Sequence, residues 1–208
     1  MPKSDPLPLV VAGGGAAGFM AAITAAEAGI EGVEIWEATA EPLVKVRISG
    51  GGRCNVTHAC WDPRELVAHY PRGQRPLRGP FSRFAAGDAV AWFAERGVEL
   101  VEEDDGRMFP VSNSSASVVQ ALREAAQRVG VRLQSQRALQ EVIPSPDGFC
   151  LKARGLPKPI NCRRLLLATG GHPSGRRIAA ALGHQVVPPV PSLFTLRLDA
   201  PWLTALAG

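Results

Sequence analysis

Lysine is nearly missing from this chain of 208 residues. Only Lys3, Lys45, Lys152 and Lys158 occur, so arginine supplies most of the 23 basic side chains. Against 19 acidic residues this leaves a formal net charge of +4, too small an excess to argue for nucleic acid as a partner. Cysteine is scarce as well. Cys54, Cys60, Cys150 and Cys162 match neither a zinc ribbon nor a dense disulfide scaffold, and they fit reduced thiols in a cytoplasmic protein. His58, His69, His172 and His184 show no ligand spacing, so no metal is assigned. No internal repeat is present. No unbroken apolar run of membrane-spanning length is present either. The stretch from Pro6 to Ala26 is uncharged, but Gly13-Gly14-Gly15 interrupts it where a signal peptide needs a continuous apolar core, so neither a leader nor a membrane span is expected.

What remains is ordinary for a globular protein, with 46% apolar and 20% charged residues and a length sufficient for one domain with a real core. The one basic cluster is the set of five arginines from Arg64 to Arg83, expected as a solvated loop.

The first fifty residues carry the strongest pattern. Leu7, Leu9, Val10, Val11 and Ala12 form a short apolar run of the length of a buried parallel strand. Gly13-Gly14-Gly15-Ala16-Ala17-Gly18 follows as a complete G-x-G-x-x-G. An alanine-rich stretch to Ala28 has good helix propensity, Gly29 ends it, and Val33, Ile35 and Trp36 give a second strand. In this pattern Gly13 permits the tight turn, Gly15 lets a diphosphate approach the backbone, and Gly18 lets the helix pack close to the sheet. The helix start offers free N–H groups and the positive end of its dipole. Glu37 lies 19 residues beyond Gly18, where a carboxylate accepts from ribose hydroxyls and repels a 2′-phosphate, favouring FAD or NAD over NADP.

Further along, Lys45 to His58 contains Ser49-Gly50-Gly51-Gly52-Arg53-Cys54-Asn55, a backbone able to wrap a ligand, with polar groups suited to phosphate, ribityl or flavin contacts. Val90, Phe93 and Ala94 share a helical face, with Gly97 as the stop. Ser114 or Ser115 caps a helix running to Val129, with Val118, Leu122, Ala125, Ala126 and Val129 on its apolar face. From Val131 to about residue 163 the pattern becomes alternating, with a turn at Pro144 to Gly148, and reads as an antiparallel meander. Leu165-Leu166-Leu167-Ala168 is then a buried strand ending in Thr169-Gly170-Gly171.

Five segments in order carry a resemblance. They are Gly13 to Gly18, Ser49 to Thr57, Phe81-Ser82-Arg83-Phe84, Gly106-Arg107-Met108-Phe109-Pro110, and Leu167 to Gly171. Together they are similar to the flavoprotein family that includes the aminoacetone-oxidase-like and BaiN-like (bile-acid reductase) proteins. The resemblance implies an α/β fold with a glutathione-reductase-like FAD-binding Rossmann domain: a parallel sheet with helices and an antiparallel β-meander. It implies FAD as cofactor, NAD(P)H as a candidate electron donor, and redox chemistry on a small molecule in the cytoplasm. The expected cofactor contacts are Gly13, Gly15, Ala16, Ala17, Gly18, Glu37, Lys45, Ser49, Gly50, Gly51, Arg53, Cys54, Asn55, Leu139, Ala168, Thr169 and Gly170. The chain departs from the family at His58, which usually is asparagine, and at 172–177, where a longer glycine-rich stretch is usual.

The expected layout is an FAD domain over 1–190, with 191–208 opening an insertion domain whose remainder, like the C-terminal part of the fold, is truncated. No catalytic side chain is assigned, since the flavin carries the chemistry. Arg53 and Lys45 suit either an anionic reduced flavin, an anionic substrate or a phosphate. Cys54 and Cys60 are separated by five residues, one more than in disulfide-reducing flavoenzymes. An NAD-binding dehydrogenase domain and a nucleotide-binding remnant without catalysis stand as the alternatives.

Overall fold

In the computed structural model, which describes residues 5–190 together with Trp202, a six-stranded sheet forms the centre. The expected opening of an insertion domain at 191–208 lies, Trp202 apart, outside the described residues. The central strand is β1 (Leu7–Ala12), whose Val10 and Val11 are completely buried because both faces of the sheet are covered. α1 (Ala16–Glu27) carries the chain to β2 (Glu34–Trp36), parallel to β1 with Val11 opposite Ile35. β6 (Arg132–Gln134) adds outside β2, and β9 (Ile160–Leu167) flanks β1 on the other side, both parallel.

The two faces are covered differently. Successive strand residues point to opposite sides, so Val11 and Ile35 face one way and Val10 and Trp36 the other. On the first side lie α1 and α6 (Ser115–Arg128), which pack Phe19, Ile23, Val118 and Leu122 against the sheet. Ser114 caps α6, its hydroxyl accepting from the Ala116 N–H, and the buried Ser115 hydroxyl donates to the Arg47 carbonyl at 2.7 Å. On the second side lie a meander and α7 (Pro173–Ala181), which contribute Leu151, Cys162 and Ile178.

The meander consists of β7 (Leu139–Ser145), β8 (Gly148–Ala153) and the beginning of β9. β9 is used twice. Residues 160–162 pair antiparallel with β8, and 162–167 pair parallel with β1. A single strand therefore closes the meander and enters the central sheet.

This corrects two expectations. Residues 132–134 belong to the parallel sheet and not to the meander, which begins at Leu139; the pair Glu34–Arg132, directly opposite in register and 3.1 Å apart, helps hold that edge strand in place. The strand ending at Leu167 is not buried: Leu166 is 37% exposed, because the α1–α6 layer stops short of β9.

Between β2 and α6 the chain makes a long excursion. It holds α2 (Val44–Ile48), α3 (Pro63–Ala68), α4 (Gln74–Phe81) and α5 (Ala86–Ala94). It also holds a small antiparallel sheet in the order β3 (Thr57–His58), β5 (Arg107–Pro110), β4 (Leu100–Glu102). In α5 the buried residues are Ala86, Trp92 and Phe93, with Ala94 exposed, so Trp92 takes the core position expected of Ala94. The expected solvated arginine loop is instead α3 and α4. No described helix is long and apolar enough to cross a membrane.

Leu122 is 1% exposed at the α6–sheet contact. Leu122→Ala is expected to destabilise the fold by about 2–5 kcal/mol through lost burial and a cavity, and Val111→Ala, at an exposed turn, by less than about 0.5 kcal/mol. Urea midpoints of the two variants check this difference.

Candidate dinucleotide site

The glycine turn between β1 and α1 is shaped by close approach. A Cβ at Gly18 would sit 1.9 Å from the Gly13 carbonyl oxygen, so only glycine allows the helix to lie this near the strand end. A Cβ at Gly13 would sit 2.3 Å from the Ala168 carbonyl oxygen, which ties the turn to the end of β9. The Ala168 N–H in turn donates to the Ala12 carbonyl at 2.8 Å. Gly15 is the opposite case: nothing lies within 4 Å of the position its Cβ would take. Ala16 and Ala17 are exposed, and α1 begins without a side-chain cap or an acidic residue in its first turn. Its first N–H groups therefore face open space with no partner inside the helix.

The peptide plane at the turn is set from outside. Leu43 N–H donates to the Gly14 carbonyl at 2.8 Å. Because the peptide is trans, the Gly15 N–H is directed the other way, away from Leu43. Leu43 adopts a left-handed backbone at φ 60°, a conformation costing leucine roughly 1–2 kcal/mol, and its buried side chain holds it there. No sequence signal marks a leucine for this role.

Glu37 closes the other side. Its Oε2 accepts from the Gly14 N–H at 2.8 Å, and its Oε1 accepts from the N–H and the hydroxyl of Thr39, both at 2.8 Å. A carboxylate offers about four acceptor positions, so one remains on Oε2, beside the turn. The segment 135–139 runs past the same strand end, where the Arg137 N–H donates to the Glu37 carbonyl at 2.7 Å and the Gln136 N–H to Thr39. Leu139 starts β7, and its side chain is buried in the core beneath the meander. Thr39, Leu43 and Gln136 are thus part of this end although the sequence reading passed over them.

The Ser49–Asn55 loop is placed by α2. Ser49 Oγ donates to the Val46 carbonyl at 3.0 Å, and the Cys54 N–H closes the turn onto the Ser49 carbonyl at 2.9 Å. Gly50, at φ 56°, passes the ring of Phe109 so closely that a Cβ would meet it at 2.7 Å. Gly51 and Asn55 are exposed. Arg53 is committed elsewhere: its guanidinium lies 3.9 Å from the Phe109 ring centre and pairs with Glu103, which also holds Arg107. Lys45 reaches the far strand end, with Nζ 3.9 Å from where a Gly170 Cβ would stand. Thr169 is fixed against α7, since its Oγ1 would touch a Cβ at Gly175 at 2.2 Å. Val44 and Ile48, 45% and 67% exposed, turn the apolar face of α2 outward next to Lys45.

The structure therefore brings Gly13, Gly15, Ala16, Ala17, Gly18, Glu37, Ala168 and Thr169 to one edge of the sheet, with Lys45 and Gly170 beside them. Arg53 and Cys54 are used mainly for packing, Cys54 being buried in the first core cluster. All four cysteines are free. Burial holds the Cys54 thiol above its ordinary range, against the opposing effect of Ser49, and Cys60 is raised by burial and by Glu65 and Asp62. Neither environment activates a thiolate for exchange. Among the described residues no group of three or more His, Cys, Asp or Glu gathers as a metal site.

A family model described as the HI0933-like protein Rossmann domain matches residues 7–196. The 3-dehydro-bile acid delta(4,6)-reductase of Clostridium scindens is 31% identical over 209 aligned residues, covering 95% of this chain and 49% of that protein. The ribosomal RNA dihydrouridine synthase of Escherichia coli is 27% identical over 205 aligned residues, covering 95% and 50%. The chain thus spans about half the length of these relatives. Among solved structures, THI4 of Thermovibrio ammonificans has a TM-score of 0.58 at 15% identity, over 86% of this chain and 64% of that one. BexE has a TM-score of 0.52 at 21% identity, over 85% and 33%. These likenesses establish the fold.

Two outcomes follow from this geometry. Gly18→Ala should lower the melting temperature by about 8 °C or more, whereas Gly15→Ala should move it by less than about 2 °C, because only the first meets backbone; thermal unfolding by circular dichroism reads both. Burial, followed by the neighbouring Cys150, pushes the Cys162 thiol up to about 11. Its folded value exceeds the unfolded one, so this contribution to stability is intact below about pH 9 and is lost as pH rises from about 9 through about 11. Iodoacetamide at pH 8 should accordingly modify Cys162 only after denaturation, which peptide mass mapping shows.

Proposed function

The chain belongs to the HI0933-like Rossmann family, the FAD-dependent BaiN-like group its motifs resemble, and from that premise we propose that it holds FAD for the reduction of a conjugated carbon–carbon double bond. The observation that carries the cofactor reading is the uncapped start of α1, opening at Gly15 onto empty space with Glu37 held beside it. A cradle that a side chain would fill, lined by unpartnered N–H groups, matches a diphosphate in size and charge. The N–H groups of Gly15, Ala16 and Ala17 would hold the diphosphate. The remaining acceptor position of Glu37 would take a ribose hydroxyl, and the 135–139 backbone, with Leu139 beneath it, would border the adenine.

Lys45, the Ser49–Asn55 loop and the Ala168–Gly170 turn would border the flavin half. When bound, FAD supplies a carrier that takes up two electrons and delivers them as hydride. Lys45 would place positive charge beside the reduced ring, and the outward face of Val44 and Ile48 would exclude water from it. NAD(P)H is the donor this reading calls for. The reaction class rests on the relatives' names: one describes a reductase of bile-acid double bonds, a small-molecule substrate, the other the conversion of uridine to dihydrouridine within ribosomal RNA. Both add two hydrogens across a double bond conjugated to a carbonyl group. A small molecule bearing such a bond, as in the bile-acid relative, is the proposed substrate class.

The purified protein should be yellow and take up FAD stoichiometrically. Glu37→Ala should weaken FAD binding about tenfold to hundredfold, the effect of removing a charged hydrogen-bond acceptor, while Glu41→Ala leaves it unchanged. Fluorescence quenching titrations measure this, with the melting temperature as a control for folding. A protein that binds NAD at this turn and no flavin would refute the reading.

A further inference from the structure

The five arginines of the 64–83 stretch have no role in the dinucleotide site. α3 and α4 lie side by side, and Arg64, Arg72, Arg75, Arg78 and Arg83 are all exposed on this hairpin. None of the five forms an ion pair with a carboxylate among the described residues. Asp62 and Glu65 are the only acids in the segment, and the Asp62 carboxylate is occupied in capping α3 by accepting from the Arg64 N–H at 2.7 Å. α4 has no buried residue, so its charged face is not a by-product of core packing. Arg75 and Arg78 are three apart in α4 and so share a face. Between the helices opens a cleft of about 640 Å³ lined by Asp62, Pro63, Arg64, Val67, Arg78 and Ser82.

Exposed aromatic rings flank these charges along the chain, Trp61 just before α3, Tyr70 between the helices with its ring 5.4 Å from that of Phe81, and Phe84 just after α4. Trp61 is 52% exposed, and Tyr70 and Phe84 are each 43% exposed. Guanidinium groups pair with phosphates bidentately, and exposed rings stack on unpaired bases. A lipid surface would need a larger apolar area than α4 offers, since its eight residues carry only Leu77 and Phe81 as large apolar side chains and both are half-buried.

We infer that the α3–α4 hairpin is a docking surface for an unpaired RNA segment, the phosphates lying on Arg64, Arg75 and Arg78 and the bases on Trp61, Tyr70 and Phe84. The surface reverses the expectation drawn from net charge, because a modest overall excess is concentrated here as five cations against two anions. It does not depend on whether the turn at Gly15 holds flavin.

The test is fluorescence anisotropy of a labelled 12-nucleotide single-stranded RNA titrated with the whole chain at several salt concentrations, with and without saturating FAD. Three phosphate contacts predict a slope of log K against log salt of about −2.1. The double variant Arg75→Glu/Arg78→Glu should bind at least about tenfold more weakly, with a slope shallower by about 1.4. Trp61→Ala should cost roughly fivefold or more through lost stacking. Reversal of Arg123 and Arg128 on α6 serves as the control and should change binding less than twofold, with circular dichroism showing every variant folded. Equal binding by the α4 and α6 variants would overturn the inference. So would loss of RNA binding on adding FAD, which would place the RNA at the glycine turn. Capture of anionic phospholipid vesicles by these arginines without RNA binding would overturn it as well.

Discussion

Everything at the sheet edge depends on backbone meeting backbone. The start of α1 presses on the Gly13 carbonyl at Gly18, and Gly13 presses on the Ala168 carbonyl at the end of β9. Two strand ends and a helix start are thereby locked within hydrogen-bond range of each other. Steric exclusion, more than any attractive contact, defines this geometry, since a single methyl group at either glycine would overlap an oxygen. The open space at Gly15 is the complement of that crowding. Glycine at 13 and 18 permits the tight contacts, and glycine at 15 leaves the vacant cradle.

Hydrogen bonds then orient what sterics have placed. Glu37 binds the Gly14 amide and Thr39, and Leu43 binds the Gly14 carbonyl, so the loop is held from both sides of one residue. The strained backbone of Leu43 is tolerated because its side chain is buried in the same core that seats α1. Packing in the first cluster and the direction of an exposed N–H group are thus parts of one arrangement. A site held this way is preorganised: its N–H groups do not have to be turned toward an anion when one arrives.

The second glycine-rich loop shows a different division of labour. Its polar residues divide between the outward crest, with Gly51 and Asn55, and the anchoring of the small sheet, where Arg53 lies over Phe109 and pairs with Glu103. The side chains that draw notice in the sequence, Arg53 and Cys54, are mostly the anchors. What the loop offers outward is mainly backbone. Arg64 to Arg83 reverse the case, since a stretch that reads as solvated loop becomes two packed helices with all five arginines exposed.

Local signals determined a good deal of this protein. The strand from Leu7, the G-x-G-x-x-G turn, the alanine-rich helix and the acid after Trp36 were readable because each depends on neighbours within a few residues, through propensity, sterics and capping. α6 was readable for the same reason, its apolar positions following the helical period to Val129. What only the tertiary structure decided was pairing at long range. Arg132 to Gln134 look alike whether they join a meander or a parallel edge, and the choice was made by β2 presenting Glu34 and an open edge 98 residues earlier. The double use of β9, the left-handed Leu43 and the partner of Arg53 belong to the same class. Each is settled by contacts between segments far apart in the chain, and no local preference distinguishes such contacts before the core has formed.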